Sequence, residues 1–263
     1  MNLDQWLKLH GKYERYARPI FRKALMQSYQ PLLDSIELID YNNYIGLTNV
    51  LVSSQPINNA YVKVYTKIGL IHGNIIGKEL NSYEKEFVKN IYDSKFLSSI
   101  YEWVQTNLGT RITDVNQYTI ELIQDLFETG LDRNYTITQM RLYLQRQLNS
   151  AAFNRMRSLR ISRTESTTAA NHGAFEAAKE SDLILDKEWQ SVVDDRTRHS
   201  HLLENGQIVG QYEQFIMSSG DRLLYPGDQN GTAKEIINCR CNYSLIPRRN
   251  EEGRLVRKIG LLS

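Results

Sequence analysis

Cys239 and Cys241 are the only two cysteines of the chain, and one residue separates them. Two of its five histidines stand upstream in the run Asp194-Asp195-Arg196-Thr197-Arg198-His199-Ser200-His201. Thiolate and imidazole are good zinc ligands, and structural zinc sites hold four. His201, Cys239 and Cys241 would supply three, with Asp195 or His199 completing the set. The same residues offer a second chemistry, a cysteine nucleophile with His201 as its base. Arg240 and His201 would then lower the thiol pKa, and Asp195 would orient the imidazole. A third reading is structural, with both cysteines as small buried residues of a strand. On a strand, side chains two apart share a face, which permits joint ligation. Dedicated zinc sites usually space their cysteines by two to four residues. No phosphate loop, nucleophile elbow or metalloprotease helix accompanies the cluster. The simplest expectation is therefore a protein that is not an enzyme and needs no cofactor. A thiol- or zinc-dependent hydrolase is the alternative.

Other islands surround this one between Arg160 and Pro247. They are Arg163-Thr164-Glu165 with Asn171 beyond, Trp189, Glu204-Asn205-Gly206, and Asn238-Cys239-Arg240-Cys241. Arginine pairs with carboxylates through two parallel bonds, and such pairs lock elements together. Glu165, Asp195, Arg198 and Arg240 read as pairs of this kind. Removing one partner strands a charge, so Arg198→Ala or Glu165→Ala is expected to give insoluble protein. Trp189 reads as a core anchor, and Asn238 as a cap or turn into the final strand.

Basic side chains form a third group. Arg141, Arg146, Arg155, Arg157, Arg160 and Arg163 fall in a stretch without a single acid. The first five are candidates for contact with the phosphates of double-stranded DNA, which would be sequence-independent and salt-sensitive. An acidic protein surface or plain solubility accounts for them equally.

Hydropathy periods indicate what positions these islands. Residues 1 to about 36 read as a helix with basic polar positions, which Pro19 kinks or restarts. Residues 40–58 read as irregular. A helix follows in which Val64, Ile68, Ile71 and Ile75 share a face. Gly69, Gly73 and Gly77 line the neighbouring face. Each glycine costs about 1 kcal/mol in a helix, so another helix should approach closely there. Residues 82–106 read as helical, with Phe87, Tyr92, Phe96, Tyr101 and Trp103. Thr113 opens a helix carrying Ile120, Ile123, Leu126 and Phe127, ended by Gly130. Thr136 to Gln139 is a capping box before a helix with Met140, Leu142, Leu144 and Leu148. The helix from about 152 to 180 is rich in alanine. The period then changes. Residues 187–193 read as a strand, Asn205-Gly206 as a hairpin signal, and 241–246 as a closing strand. The fold class is mainly α with a C-terminal α+β unit: a helical body, then a small antiparallel sheet packed on the long Ala-rich helix. The expected division is a helical region 1–150, a domain 151–247 and a loose basic tail 248–263.

Composition fits a globular chain, with 41% hydrophobic and 24% charged residues. No run is long and apolar enough to span a membrane. The N-terminal residues lack the pattern of a signal peptide, which predicts synthesis in a cytoplasm.

The islands, in this order and spacing, resemble the phage head morphogenesis family, the minor head proteins similar to protein F of phage Mu. The pattern is Arg163-Thr164-Glu165, Asn171, Trp189, Asp195-Arg196-x-Arg198, His201 and Gly206, then Pro226-Gly227 and Asn238-Cys239-Arg240-Cys241. It covers roughly the C-terminal 110 residues. The resemblance implies a virion component made in the host cytoplasm and located in the capsid interior or at the portal vertex. It also implies the portal protein as partner, with scaffold or major capsid protein as further candidates. A DNA-binding protein unrelated to heads is the rival reading.

Overall fold

The computed structural model describes residues 1–36, 43–83 and 95–258, with the backbone alone for 95–97 and 151–152. Helices come first: α1 (Leu3–Asp34), α2 (Tyr44–Leu51), α3 (Gln55–Asn81), α4 (Lys95–Asn107), α5 (Gly109–Asp132) and α6 (Ile137–Leu148). A turn of π-helix, Ala151–Arg155, leads into α7 (Met156–Glu180). Then follow β1 (Leu185–Gln190), α8 (His199–Leu203), β2 (Ile208–Gly210), β3 (Phe215–Ile216), β4 (Arg222–Leu223), α9 (Ala233–Ile236) and β5 (Asn242–Pro247). Helix makes up 64% of the described residues, and the sheet lies near the C-terminus, as the hydropathy periods require.

Contacts divide the chain into two compact units. The first holds Met1–Arg15, Val64–Trp103 and Arg163–Ser263, and the second Tyr16–Lys63 and Val104–Ser162. The boundaries fall inside α1, α3, α4 and α7. The units therefore interleave along the chain and do not coincide with a division at 150 and 247.

In the first unit β1 is the central strand of an antiparallel sheet ordered β2-β1-β5, with Trp189 opposite Tyr243 and Glu188 opposite Ile208. Strands β3 and β4 form a separate ribbon. Burial alternates along β1, so Leu185, Lys187 and Trp189 face the core. There they meet Ala174, Phe175, Ala177 and Ala178 of α7. Short alanine side chains let the sheet sit close to the helix.

The expected helix approach is present at Gly69. A Cβ placed on Gly173 of α7 would lie 2.8 Å from the Gly69 Cα, and one on Gly69 would lie 2.8 Å from Ile100 Cδ1. The α3 face it belongs to is the buried one, with Val64, Ile68 and His72, whereas Ile71 and Ile75 are only half-buried.

Two expectations for the first unit fail. Asn205-Gly206 does not close a two-residue hairpin, because α8 lies between β1 and β2. Gly206 has φ of 85° and its N–H bonds the Trp189 carbonyl at 2.9 Å, while the Asn205 side chain holds the Ser191 N–H at 2.8 Å. The described part of the tail, 248–258, is not loose either. Residues 248–258 fold back along 182–186: Arg248 N–H meets the Ile184 carbonyl at 2.9 Å, and the Arg248 guanidinium meets Asp186 at 2.6 Å. Lys258 Nζ donates to the Ser181 carbonyl at 2.6 Å, near the C-terminus of α7, where a cation is favoured.

The second unit buries Tyr29, Leu32, Ile36, Val52, Ile120, Ile123, Phe127, Met140, Leu144 and Leu148 in one core. The capping box at Thr136 and Gln139 is present. Helix α5 starts at Gly109 rather than Thr113 and does not end on Gly130. Asn134 takes the left-handed position, with φ of 54°. Its N–H bonds the Leu131 carbonyl at 2.8 Å and that of Tyr135 bonds Gly130 at 3.0 Å, which is a Schellman ending built on asparagine. Gly130 instead makes room for Met140, whose sulfur would lie 2.5 Å from an added Cβ. The stretch 40–58 holds α2 and the start of α3. Leu142 is exposed. Helix α1 runs through Pro19 and Pro31 without restarting. Phe87 and Tyr92 lie outside the described residues, as does the Phe96 side chain.

Candidate functional site

Four side chains of α7 stand at i, i+3, i+4 and i+7 and therefore share one face. They are Thr164, Thr167, Thr168 and Asn171. Each reaches the backbone of a distant loop. Thr164 Oγ1 accepts from the Asn238 N–H at 2.9 Å, and Thr167 Oγ1 donates to the Cys239 carbonyl at 2.6 Å. Thr168 Oγ1 donates to the Gly227 carbonyl at 2.8 Å. Asn171 Nδ2 donates to Pro226 at 2.8 Å and to Cys241 at 3.1 Å, and its own carbonyl accepts from Tyr243 at 3.2 Å. All four helix residues are buried, so the bonds form where competing water is scarce.

The loops are shaped to meet this stripe. Tyr225-Pro226-Gly227-Asp228 is a β-turn closed by Asp228 N–H on the Tyr225 carbonyl at 2.9 Å. Gly227 has φ of 83°, the value a type II turn demands at its third position, with proline before it. A Cβ there would also lie 2.8 Å from Thr168 Oγ1. Asn238 has φ of 60°, so it does turn the chain toward β5, in a conformation asparagine tolerates.

Of the other expected residues, Trp189 is fully buried. It lies edge-on to His201 and Phe215 and donates to Ser191 Oγ at 3.0 Å. Arg163 pairs with Glu14 through two nitrogens, at 3.2 and 3.4 Å. Glu165 is buried and accepts from the Tyr65 hydroxyl at 2.5 Å. Arg198 donates to the Ile237 carbonyl. The carboxylate on Arg240 is that of Asp194, at 2.6 and 2.8 Å, and not that of Asp195, which is exposed. The Arg240 bond holds the Asp194 carboxyl well below the usual range, helped by Thr197 and the Arg196 N–H. Adjacent aspartates cannot be told apart by composition. The useful signal is that Asp194 opens a turn, bonding its own neighbours Arg196 and Thr197.

The cysteine cluster does assemble. His201, Cys239 and Cys241 are buried, with ligand atoms all within 4.8 Å of one another. His201 Nδ1 lies 3.3 Å from Cys241 Sγ and 3.6 Å from Cys239 Sγ. Its Nε2 lies 2.9 Å from Glu235 Oε2, a carboxylate the sequence reading did not single out. Hydrogen bonding from Cys239 and from His201 pulls the Cys241 thiol pKa down. The pairing with Cys241 and burial push the Cys239 thiol up. The two cysteines precede β5 rather than lying in it, and the Cys241 N–H points at Cys239 Sγ at 3.4 Å. His199 and Asp195, offered as further ligands, are exposed.

The arginine group separates. Arg146, Arg155 and Arg160 are exposed and Arg141 is half-buried. Arg157 turns inward, donating to Thr119 Oγ1 at 2.6 Å and lying over the Phe153 ring at 5.0 Å. Burial lowers its pKa to about 10. Its place in a DNA-contact set is therefore taken away: the guanidinium holds α7 to α5 within the second unit.

A site of this kind, in which buried side chains fasten helix to loop backbone, defines a domain built to hold its shape. Residues 121–244 match the family model described as Phage Mu protein F like protein. The chain is similar to "Minor head protein GP7" of Bacillus phage SPP1, 23% identical over 243 residues that cover 89% of this chain and 73% of the relative. It is also similar to "Uncharacterized protein YqbB" of Bacillus subtilis strain 168, 22% identical over 170 residues, 64% of this chain and 53% of that one. A third relative is "NAD(+)--arginine ADP-ribosyltransferase EFV" of Enterococcus faecalis strain V583, 27% identical over 135 residues, 48% of this chain and 26% of that one. The chain thus spans about half of the second relative and a quarter of the third. No solved structure matches it. Among the described residues no helix is long and apolar enough to cross a membrane.

Proposed function

We propose that the chain is a minor head protein that acts in phage head assembly at the portal vertex. The observation that carries this reading is the family domain at 121–244, set within a similarity to a minor head protein that runs through 89% of the chain. The partner is the portal protein, with scaffold or major capsid protein as further contacts, and the protein becomes a virion component.

The chemistry of the site supports a role without catalysis. His201, Cys239 and Cys241 are 1–2% exposed, so their sulfurs are out of reach of a substrate. The segment shared with the ADP-ribosyltransferase is a quarter of that protein, and its activity is not carried over on that ground.

Co-expression with the portal protein of the same phage, followed by size-exclusion chromatography with mass determination, tests the reading. Co-elution at a defined ratio is expected. Clean separation at low and moderate salt would remove the portal from the proposal and leave scaffold or DNA as the partner.

A second reading, contact with double-stranded DNA, rests on Arg146, Arg155 and Arg160, which are exposed in a stretch free of acids. Replacing the three by alanine should weaken binding and flatten the dependence of log K on log salt by up to about 3. An unchanged slope would overturn it.

A further inference from the structure

We propose that His201 Nδ1, Cys239 Sγ and Cys241 Sγ hold one zinc ion, with Glu235 orienting the histidine from behind. A tetrahedral zinc with thiolates at about 2.3 Å and imidazole at about 2.0 Å places sulfur roughly 3.6 Å from nitrogen and roughly 3.8 Å from the other sulfur. The nitrogen lies 3.3 and 3.6 Å from the two sulfurs. These separations need only a few tenths of an ångström of adjustment.

Hydrogen bonding alone serves this arrangement poorly. One ring nitrogen faces two sulfurs, and the thiols that could bond it and each other are weak donors and acceptors. A metal ion between the three atoms satisfies all of them together. Nε2 is directed at Glu235 Oε2 at 2.9 Å, the carboxylate–histidine pairing that fixes a ligating ring and leaves its other nitrogen free for the metal. Glu235 is fully buried, and its Oε1 has no hydrogen-bond partner among the described residues. A buried carboxylate of this kind is costly unless a cation lies near. Its second contact, from Ser200 Oγ at 2.9 Å, keeps it aimed at the ring. The Cys241 N–H on Cys239 Sγ favours the thiolate form that a metal requires.

Zinc would displace the two thiol protons, and water would take the fourth position. The ion would pin the loop before β5 to α8 and α9, the same loop that Thr164, Thr167 and Asn171 hold from the other side. By joining these elements the ion would stabilise the fold, and that effect does not depend on what the head assembles with.

The test uses the whole chain, made in zinc-supplemented medium and purified without a metal-affinity step. Elemental analysis should give about one zinc per chain. A thiol-blocking mercurial should release it to a colorimetric dye, and Co(II) taken up in its place should show a thiolate charge-transfer band. The Cys239→Ser/Cys241→Ser variant should lose both signals. Should it fail to fold, Glu235→Gln serves instead: it keeps an acceptor for Nε2–H and should bind at least about 10-fold more weakly. Protein without metal, whose apo form takes up no Co(II), overturns the proposal. So does full metal content in the double cysteine variant.

Discussion

Lowering the pH from 8 to 5 should destabilise the first unit by several kcal/mol while leaving the second unaffected. Four histidines are buried there, and three of them carry the effect. His10 lies 2.9 Å from Thr167 Oγ1, His72 lies 3.3 Å from the Tyr13 hydroxyl, and His172 stacks on Trp103 at 3.9 Å and meets the Tyr225 hydroxyl at 3.1 Å. Burial lowers the pKa of His10 to about 4 and those of His72 and His172 to about 3. Glu14 and a bond to the Arg163 backbone oppose the shift at His10, while the charges of Arg163 and Arg240 reinforce it. The N-terminal amine and His10 reinforce it at His72, and Lys179 does so at His172. Glu176 stands 3.9 Å from His172.

The sign follows from proton binding. Between the folded values and the ordinary 6.5 the unfolded chain binds more protons, so stability falls as pH falls through that window. At pH 5 each histidine contributes about 2 kcal/mol less than at pH 8. His10 and His72 interact, so the sum is about 4–6 kcal/mol, a large share of the 5–15 kcal/mol typical of a domain. All three tryptophans, Trp6, Trp103 and Trp189, belong to the first unit, as do all five histidines. Tryptophan fluorescence in urea therefore reports that unit alone. With a urea slope of about 2 kcal/mol per molar, its midpoint should drop by roughly 2–3 M between pH 8 and pH 5. His72→Gln should remove part of that dependence. A drop below about 0.5 M would refute the burial argument.

Other perturbations separate residues that sequence alone leaves together. Gly173→Ala should destabilise by roughly 1–3 kcal/mol in urea titration, despite alanine's better helix propensity, because its Cβ meets Gly69 backbone; an unchanged midpoint would count against the helix approach. Asp194→Asn should lower the melting temperature, at a cost of roughly 1 kcal/mol, while Asp195→Asn should not. Asn171→Leu should cost about 2–3 kcal/mol by stranding the Pro226 and Cys241 carbonyls, and a native melting curve would refute the stripe. Glu165→Ala and Arg198→Ala should differ. The first opens a gap beside the buried Tyr65 hydroxyl and should give poorly soluble protein. The second frees one carbonyl at a half-exposed position and should stay soluble with native circular dichroism.

The sequence discloses helices and their ends better than it discloses loops that are closed by distant partners. Periodicity finds α5, α6 and α7 because each buries a face of its own segment. The capping box at Thr136 is legible because both its bonds are local. Gly130 misleads for the opposite reason. A glycine after an apolar run reads as a helix end, but here its lack of a side chain serves Met140, and the left-handed residue is Asn134. Asn205-Gly206 carries local hairpin chemistry, yet α8 intervenes and the pair closes a turn against Trp189. The 248–258 segment looks loose because its charges are read as solvent-facing, while its backbone finds 182–186.

The same distinction explains the site. Rare residue types marked His201, Cys239 and Cys241 for attention, and they do meet. Thr164 stands out only as the middle of Arg163-Thr164-Glu165, and Thr167 and Thr168 not at all, because threonine is common and its usual helical role is a bond to the preceding turn. Their spacing held the information: three threonines and an asparagine on one face of an otherwise alanine-rich helix would each be unfavourable in a buried position without a partner. Four such residues require four backbone partners from elsewhere in the chain. Pro226-Gly227 and Asn238-Cys239-Arg240-Cys241 are the segments that supply them, and each carries a residue, Gly227 or Asn238, that takes the left-handed conformation the approach demands. The islands therefore meet in the fold because they are the two halves of one set of bonds. Changing the α7 face without changing the loops should disrupt both at once.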